Sequence, residues 1–355
     1  MSQSAALGKV YQKKTDREHI LDAPDTYIGS VDETEYDTFI LDSIDIDAAR
    51  ITKKQIKIIP GLYKLFDEAI VNCRDHVARM ASKEKSKENH HVTYIDISIN
   101  EEGVITMMND GNGIDVEKHP EHKIWIPEMI FGHLRTSTNY DKQEKKIVGG
   151  KNGFGFKLVL VWSEWGEIET NDHIRKKKYV QRFSDNLNVI HEPTITKGSG
   201  KPYTKVTFKP DYKRFGIPGG NLTPEMLSLF KRRIYDIAAV TDKKVIVKLN
   251  SEPIQVKTFM NYVEMYIGNK GLRERAYEEP NERWEYCVCL SPYDEFAQVS
   301  FVNGIYTGKG GKHVEYITNQ IVKKMTEYIL KKKKVTVKPT AIKEQLMVFL
   351  RCDIE

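Results

Sequence analysis

Nowhere in the 355 residues is there an apolar run approaching the ~20 residues that a membrane-spanning helix requires. The opening segment, MSQSAALGKVYQKK, also lacks the apolar stretch of a secretory signal peptide. Neither an embedded nor a secreted protein is expected, and no membrane partner. Cysteine is scarce as well: Cys73, Cys287, Cys289 and Cys352 include no C-x-x-C pair and no nearby histidine at zinc spacing. The expectation is buried free thiols in a reducing compartment, with Cys287 and Cys289 on one face of a strand. A repeat of roughly 20 to 50 residues is missing too, which excludes a solenoid. So is any Pro-, Gly- or Ser-rich linker, so domain organisation has to be read from pattern shifts.

What is present is a mixed composition, 40% hydrophobic and 30% charged, with a net charge of +5. It suffices for two ordinary cores and allows a polyanionic partner without demanding one. Pro60 to Met80 reads as a helix, and VTYIDISI and VITMM around Asn100-Glu-Glu-Gly103 read as a β-hairpin. Pro127 to Leu134 is a short helix with proline at its first position, and Thr136 to Lys146 is a polar surface loop. The apolar helix FKLVLVW then leads into strands WGEIETND, KKYVQRF and YTKVTFKPD, giving an α/β sandwich. A helix from Thr223 to about Ala239 closes this domain, and the boundary is expected near Thr241. The second unit starts with VIVKLN and continues through QVSFVNG and a long helix from about His313 to Leu330. It closes with the run Lys331 to Lys334 and the strand EQLMVFLRCDI. Ending so soon after a strand suggests a piece of a longer protein.

Three constellations could carry chemistry. In PGLYKLFDEAIVNCRDHVARM, Glu68, Asn72, Asp75 and Arg79 fall within about 60° of one another at ~100° per residue, away from Leu62, Phe66, Ala69, Ile70, Cys73 and Val77. A solvated face is the plain alternative, but Asn and Asp are poor helix formers for that role. Asn109-Asp-Gly-Asn-Gly113 directly follows a strand; its glycines would let backbone approach a planar ligand, and the Asn109 amide could address a base edge. An ordinary turn is the alternative. In VGGKNGFGFK, Gly149, Gly150, Gly153 and Gly155 would point backbone N–H groups at an anion, helped by the following helix and by Lys151 and Lys157. It is neither a P-loop nor a dinucleotide fingerprint, and a flexible loop is the alternative.

The order of these three, Glu-x-x-x-Asn on a helix, then a strand with Asn-x-Gly-x-Gly, then a Gly-rich segment opening a helix, resembles the layout of the GHKL (Bergerat-fold) ATPases. Nearly end to end the chain resembles the N-terminal ATPase region of eukaryotic-type type IIA DNA topoisomerases. The matching stretches include YQKK, EHIL, PDTYIGSV, PGLYKLFDEAIVN, IPEMIFGHL, TSTNYD, GGKNGFG, YTKVTFKPD, RRIYDIAA, SFVNGI and GGKHVEYITNQIVKK. The resemblance implies an α+β chain: a GHKL α/β sandwich with an N-terminal dimerisation arm over residues 1–240, then a transducer domain of the ribosomal-protein-S5-like type over 241–355.

It also implies roles. Glu68 would activate water for attack on the γ-phosphate of ATP, and Asn72 would bind Mg²⁺. Asn109 would read the adenine with support from Thr204; Asp75 and Arg79 would line the pocket; Ser137, Thr138 and Asn139 would meet ribose and phosphates. Gly150, Lys151, Asn152, Gly153, Phe154 and Gly155, with Lys157, would form the phosphate lid. Tyr11 would reach the partner's nucleotide in a homodimer, and Lys331, Lys332, Lys333 and Lys334 would contact double-stranded DNA without reading sequence.

Departures from the family pattern are Cys73-Arg74 in place of two small residues, His76 in place of Asn, Lys151 in place of Arg, Arg135, and Trp162-Ser-Glu-Trp165. They lean towards a large DNA virus as the source. The family's switch-lysine loop and its downstream DNA-cleavage domains would follow Glu355, so this piece is expected to bind ATP, hydrolyse it slowly and dimerise weakly. The implied function is an ATP-operated dimerisation gate coupled to duplex passage. A mismatch-repair or chaperone-type GHKL clamp and a non-catalytic DNA-binding scaffold are the alternatives. The implied location is the nucleus, or a viral factory or virion for a viral enzyme.

Overall fold

The computed structural model describes residues 14–42, 49–134 and 155–354. The chain begins with helices α1 (Asp16–Asp22) and α2 (Pro24–Tyr27), a hairpin β1 (Thr34–Leu41) and β2 (Ile51–Ile58), helix α3 (Pro60–Ala81) and strands β3 (Tyr94–Ile99) and β4 (Ile105–Asp110). Helices α4 (Ile126–Gly132) and α5 (Gly155–Val161) lead to β5 (Ser163–Asp172), β6 (Lys177–Ser184), β7 (Val189–Ile190), β8 (Thr194–Lys197) and β9 (Tyr203–Pro210). Helix α6 (Pro224–Val240) is followed by β10 (Ile246–Leu249) and β11 (Glu252–Pro253). The remainder is α7 (Phe259–Ile267), β12 (Arg275–Asn281), β13 (Trp284–Leu290), β14 (Ala297–Val302), β15 (Ile305–Tyr306), α8 (Lys312–Lys333), α9 (Pro339–Lys343) and β16 (Leu346–Cys352).

Local chemistry sets the main boundaries. Pro60 and Pro224 sit in the first turns of α3 and α6, where their missing N–H costs nothing, and Thr223 caps α6 by accepting from the Met226 N–H. The β3–β4 hairpin turns at Asn100, whose Oδ1 accepts from Val104 N at 2.8 Å. Among the described residues a nine-stranded sheet runs β11-β10-β3-β4-β9-β5-β6-β7 with β8 on β6, antiparallel except for β10 against β3. Helices α3, α5 and α6 pack on it; Leu62, Leu65, Phe66, Ala69 and Ile70 of α3 are buried, and Phe66 stacks on Phe230 of α6 with centroids 4.1 Å apart. This is the expected sandwich. A second sheet has the order β12-β13-β16-β14-β15, with β14 parallel to β16 and the amphipathic α8 against it. No described helix is long and apolar enough to cross a membrane.

Three expectations change. The strand VIVKLN, placed in the second unit by a boundary near Thr241, instead pairs parallel with β3, so the first sheet continues to Pro253. A strand after a long helix can return to the sheet it left, and alternation along it does not say to which neighbour. The division is also not a break in packing: Phe259, Tyr262, Phe301 and Phe349 belong to the same buried cluster as Phe66 and Phe230. Secondly, the long helix, expected to end at about Leu330, runs on into the lysine run. Lys331 to Lys333 form the last turn of α8 and Lys334 caps it with φ of +60°, cations at a helix C-terminus being favourable. Thirdly, the β1–β2 hairpin was not anticipated; α6 packs on it, with the Ser228 hydroxyl donating to Leu41 O. All four cysteines are free and buried, and burial pushes the thiols of Cys73, Cys287 and Cys352 up to about 12.

Candidate functional site

Helix α3 offers its polar face beside the end of β4 and the start of α5. Glu68 lies at the centre of that face, half-buried, with Oε1 2.6 Å from Lys64 Nζ one turn earlier. The Asn72 amide donates from Nδ2 to Glu68 O at 2.6 Å, which leaves Oδ1 as its acceptor atom. A turn further on, Arg79 Nη2 donates to His76 Nδ1 at 2.9 Å. Burial, with the nearby Arg79 charge, lowers the His76 imidazole to about 3, so it is neutral and free to accept at that nitrogen. Asp75 is buried beneath the same face.

The end of β4 forms the second wall. Asn109 is buried in register with Ile95 of β3 and Thr204 of β9, and its Nδ2 donates to Asp110 O at 2.9 Å. Asp110 closes the hairpin edge by accepting from Thr93 N at 2.7 Å and Tyr94 N at 3.0 Å. Thr204 Oγ1 lies 3.3 Å from Thr170 Oγ1, which also accepts from Ile114 N at 2.9 Å and so ties the turn to β5. The glycines of this turn were expected to make room for a ligand; the structure shows another reason for them. A Cβ on Gly113 would run into the Asn171 carbonyl, and one on Gly111, at φ of +92°, would press on Val92 and lie 3.2 Å from His76 Nε2. They allow the turn to lie against β5 and α3.

Helix α5 supplies the third wall. A Cβ on Gly155 would sit 3.0 Å from Glu68 Oε2 and 3.9 Å from Asn72 Nδ2, so the start of this helix abuts the carboxylate and the amide. Lys157 lies within α5, as the reading of FKLVLVW as a helix implies, and is only 3% exposed; burial lowers its ammonium to about 8. Lys331, Lys332, Lys333 and Lys334 are exposed on α8, with the second sheet. The expected site residues Tyr11, Ser137, Thr138, Asn139, Gly150, Lys151, Asn152, Gly153 and Phe154 lie outside the described residues.

Among the described residues no three His, Cys, Asp or Glu side chains converge on a metal site. The amide oxygen of Asn72, whose Nδ2 is already engaged, is of the type that suits a hard cation taking most of its ligands from a bound anion and water. Carboxylate, amide, arginine and the start of a helix thus converge on one surface, suited to an anionic ligand and a water positioned for attack. Sequence reasoning missed Lys64 and Thr170. The first could have been found as the i−4 partner of Glu68; Thr170 joins the turn across strands, which spacing does not reveal.

Residues 58–214 match the family described as histidine kinase-, DNA gyrase B-, and HSP90-like ATPase, and residues 247–355 match DNA gyrase B. DNA topoisomerase 2 of Saccharomyces cerevisiae is 43% identical over 363 residues, which are 97% of this chain and 24% of that protein. DNA topoisomerase 2 of Acanthamoeba polyphaga mimivirus is also 43% identical, over 98% of this chain and 27% of that protein. The chain therefore spans about a quarter of the length of these curated relatives. Among solved structures, the ATPase region of Saccharomyces cerevisiae topoisomerase II superposes with a TM-score of 0.87 at 43% identity, covering 97% of this chain and 86% of that one. The ATPase and transducer domains of DNA topoisomerase II from Balamuthia mandrillaris give 0.88 at 35% identity, covering 98% and 85%.

Proposed function

The chain belongs to the DNA topoisomerase II family, as its ATPase region, and on that premise we propose that it binds ATP with Mg²⁺ at the α3 face and acts as a nucleotide-operated dimerisation gate. The observation that carries this is the approach of Gly155 to Glu68 Oε2 and Asn72 Nδ2, which puts a carboxylate, an amide side chain and the start of a helix at one point. Glu68 orients the attacking water, and Lys64 holds the carboxylate in place. Asn72 Oδ1 would hold Mg²⁺, whose charge offsets that of the phosphates. Asn109 and Thr204 address the base from the sheet; Asp75 and Arg79 line the pocket. Ser137, Thr138, Asn139 and the segment from Gly150 to Gly155, with Lys157, are assigned to ribose and phosphates by the sequence resemblance.

In the whole enzyme, Tyr11 would cross to a second protomer, Lys331 to Lys334 would neutralise phosphates of duplex DNA, and downstream domains of the same polypeptide would cut it. Such an enzyme would work in the nucleus or, if encoded by a virus, in a viral factory or the virion. The departures in Arg74, His76 and Lys151 fit the viral source. Glu68→Gln tests the core of the proposal, since it keeps the size of the side chain and removes the base. ATP turnover should fall at least about a hundredfold, while binding of a non-hydrolysable ATP analogue stays within threefold of wild type. Unchanged turnover would reduce the site to a scaffold.

A further inference from the structure

Helix α3 has a second set of charges on its buried side. Asp67 and Arg74 are sequence neighbours of Glu68 and Asp75, but each is turned about 100° away from its neighbour. Asp67 Oδ1 accepts from Arg233 Nε of α6 at 2.6 Å, and Arg233 Nη2 donates onward to Gly304 O at 2.8 Å. Two turns along α3, Arg74 Nη2 donates to Asp353 Oδ1 at 2.6 Å, just past the end of β16; the two side chains are 8% and 22% exposed. Asn303 closes the circuit: its Nδ2 donates to Ile354 O at 2.8 Å and its Oδ1 accepts from Ile354 N at 2.8 Å. The turn between β14 and β15 is pressed into this node. Gly304 has φ of +78°, and a Cβ there would lie 2.8 Å from Arg74 Cδ.

Both faces of one rigid helix are therefore committed. The polar face carries Glu68, Asn72 and Arg79, and the buried face is ion-paired at two points, roughly 10 Å apart along the axis, to groups that hold the second sheet. A shift of α3 along its axis cannot be absorbed by Arg74 alone, because leaving a buried charge unpaired is expensive. The end of β16 must move with it, or the pair must break.

We propose that Arg74 and Asp353 form a relay between the candidate ATP site and the end of β16, with Arg74 a positioning residue that acts through α3. The relay rests on the nucleotide reading of the α3 face. Because coupling between two sites is reciprocal, breaking the pair alters both nucleotide affinity and the response of β16.

Hydrogen–deuterium exchange of the 355-residue chain, with and without Mg²⁺ and a non-hydrolysable ATP analogue, tests it. In wild type the analogue should slow exchange at least threefold both at 109–113 and at 346–354. Arg74→Ala should keep the slowing at 109–113, weaken analogue binding about threefold to tenfold, and lose the slowing at 346–354. Arg74→Lys should recover part of it. Should Arg74→Ala fail to fold, Asp353→Asn, of equal size, carries the same expectation. Wild-type slowing at 346–354 in Arg74→Ala or Asp353→Asn overturns the relay alone. Absence of slowing at 109–113 in wild type overturns the nucleotide reading, and the relay with it.

Discussion

Around the nine-stranded sheet the interior holds Asp75, Asn109, Asp110, Lys157, Thr170, Asp172, Arg232 and Asp236, whereas around the five-stranded sheet the buried polar side chains include little beyond Glu285, Ser300, Asn303 and Thr318. The second region keeps its charge outside: Lys323, Lys324 and Lys331 to Lys334 are exposed on α8, with the exposed rings of Tyr316 and Tyr328 between and beside them. One region spends stability on buried polar groups fixed in place, which is what a site that binds and positions a small anion requires. The other has a mostly apolar interior and a charged exterior, which suits contact with a polyanion. The two meet in one continuous hydrophobic cluster, so the difference is one of chemistry rather than of separate folding.

The largest expected effect tests whether buried charge in the first region is held by its partners. Arg232 and Asp236 of α6 are fully buried and paired at 2.6 Å; Asp236 also accepts from the Tyr262 hydroxyl of α7, and the guanidinium lies 4.1 Å from the Tyr306 ring centroid. Arg232→Ala leaves Asp236 buried with its main counter-charge gone and should cost about 3–5 kcal/mol in denaturant unfolding. The paired replacement Arg232→Met with Asp236→Leu should cost far less, because neither charge is then buried. Equal losses in the two would mean that packing, not pairing, sets the cost.

How much of this contrast is legible in the sequence depends on the range of the contacts. The polar stripe of α3 is written in the four-three-four spacing of Glu68, Asn72, Asp75 and Arg79, because helix geometry converts spacing into direction without help from the rest of the chain. The Asn109 turn and the start of α5 are equally local. The return of β10 to β3, the crowding of Gly113 by Asn171, and the salt bridge from Arg74 to Asp353 are not legible. Each joins segments far apart in the chain, and neither a parallel register nor an ion pair leaves a periodic trace. The lysine run shows an intermediate case: its charge is obvious, but the cap at Lys334 is what shows that three of its lysines belong to the last turn of α8.

An intermediate effect should separate the regions by ligand. Asn109→Ala removes the buried amide assigned to the base and should weaken ATP-analogue binding about tenfold, leaving DNA affinity unchanged. Replacing Lys331, Lys332, Lys333 and Lys334 by Ala should do the reverse. DNA binding should weaken about tenfold at physiological salt, and its salt dependence should flatten by roughly one phosphate contact for each lysine engaged. Fluorescence anisotropy with a labelled nucleotide analogue and a labelled duplex reads both. A lysine variant that binds DNA as wild type with an unchanged salt slope would remove the polyanion role from the second region.

The smallest expected effect concerns Lys157, the one buried lysine among the described residues. Burial lowers the Lys157 ammonium from its ordinary 10.5 to about 8. Between those values the folded state holds fewer protons than the unfolded chain, so this group makes stability rise with pH over that window. Below about 8 the folded protein carries the desolvation cost of the charged ammonium; relaxation and neighbouring groups reduce such costs, so about 1 kcal/mol is expected. Lys157→Met should therefore be more stable than wild type at pH 7 by about that amount, and the gap should close as pH approaches 10.5. ATP should change the sign of the comparison. A phosphate beside the ammonium favours its charged form, so wild type should gain more thermal stability from a saturating ATP analogue at pH 7 than Lys157→Met does. If the analogue stabilises both equally while the pH gap behaves as expected, Lys157 is buried charge without a phosphate role, and the polar interior of the first region extends beyond what its ligand needs.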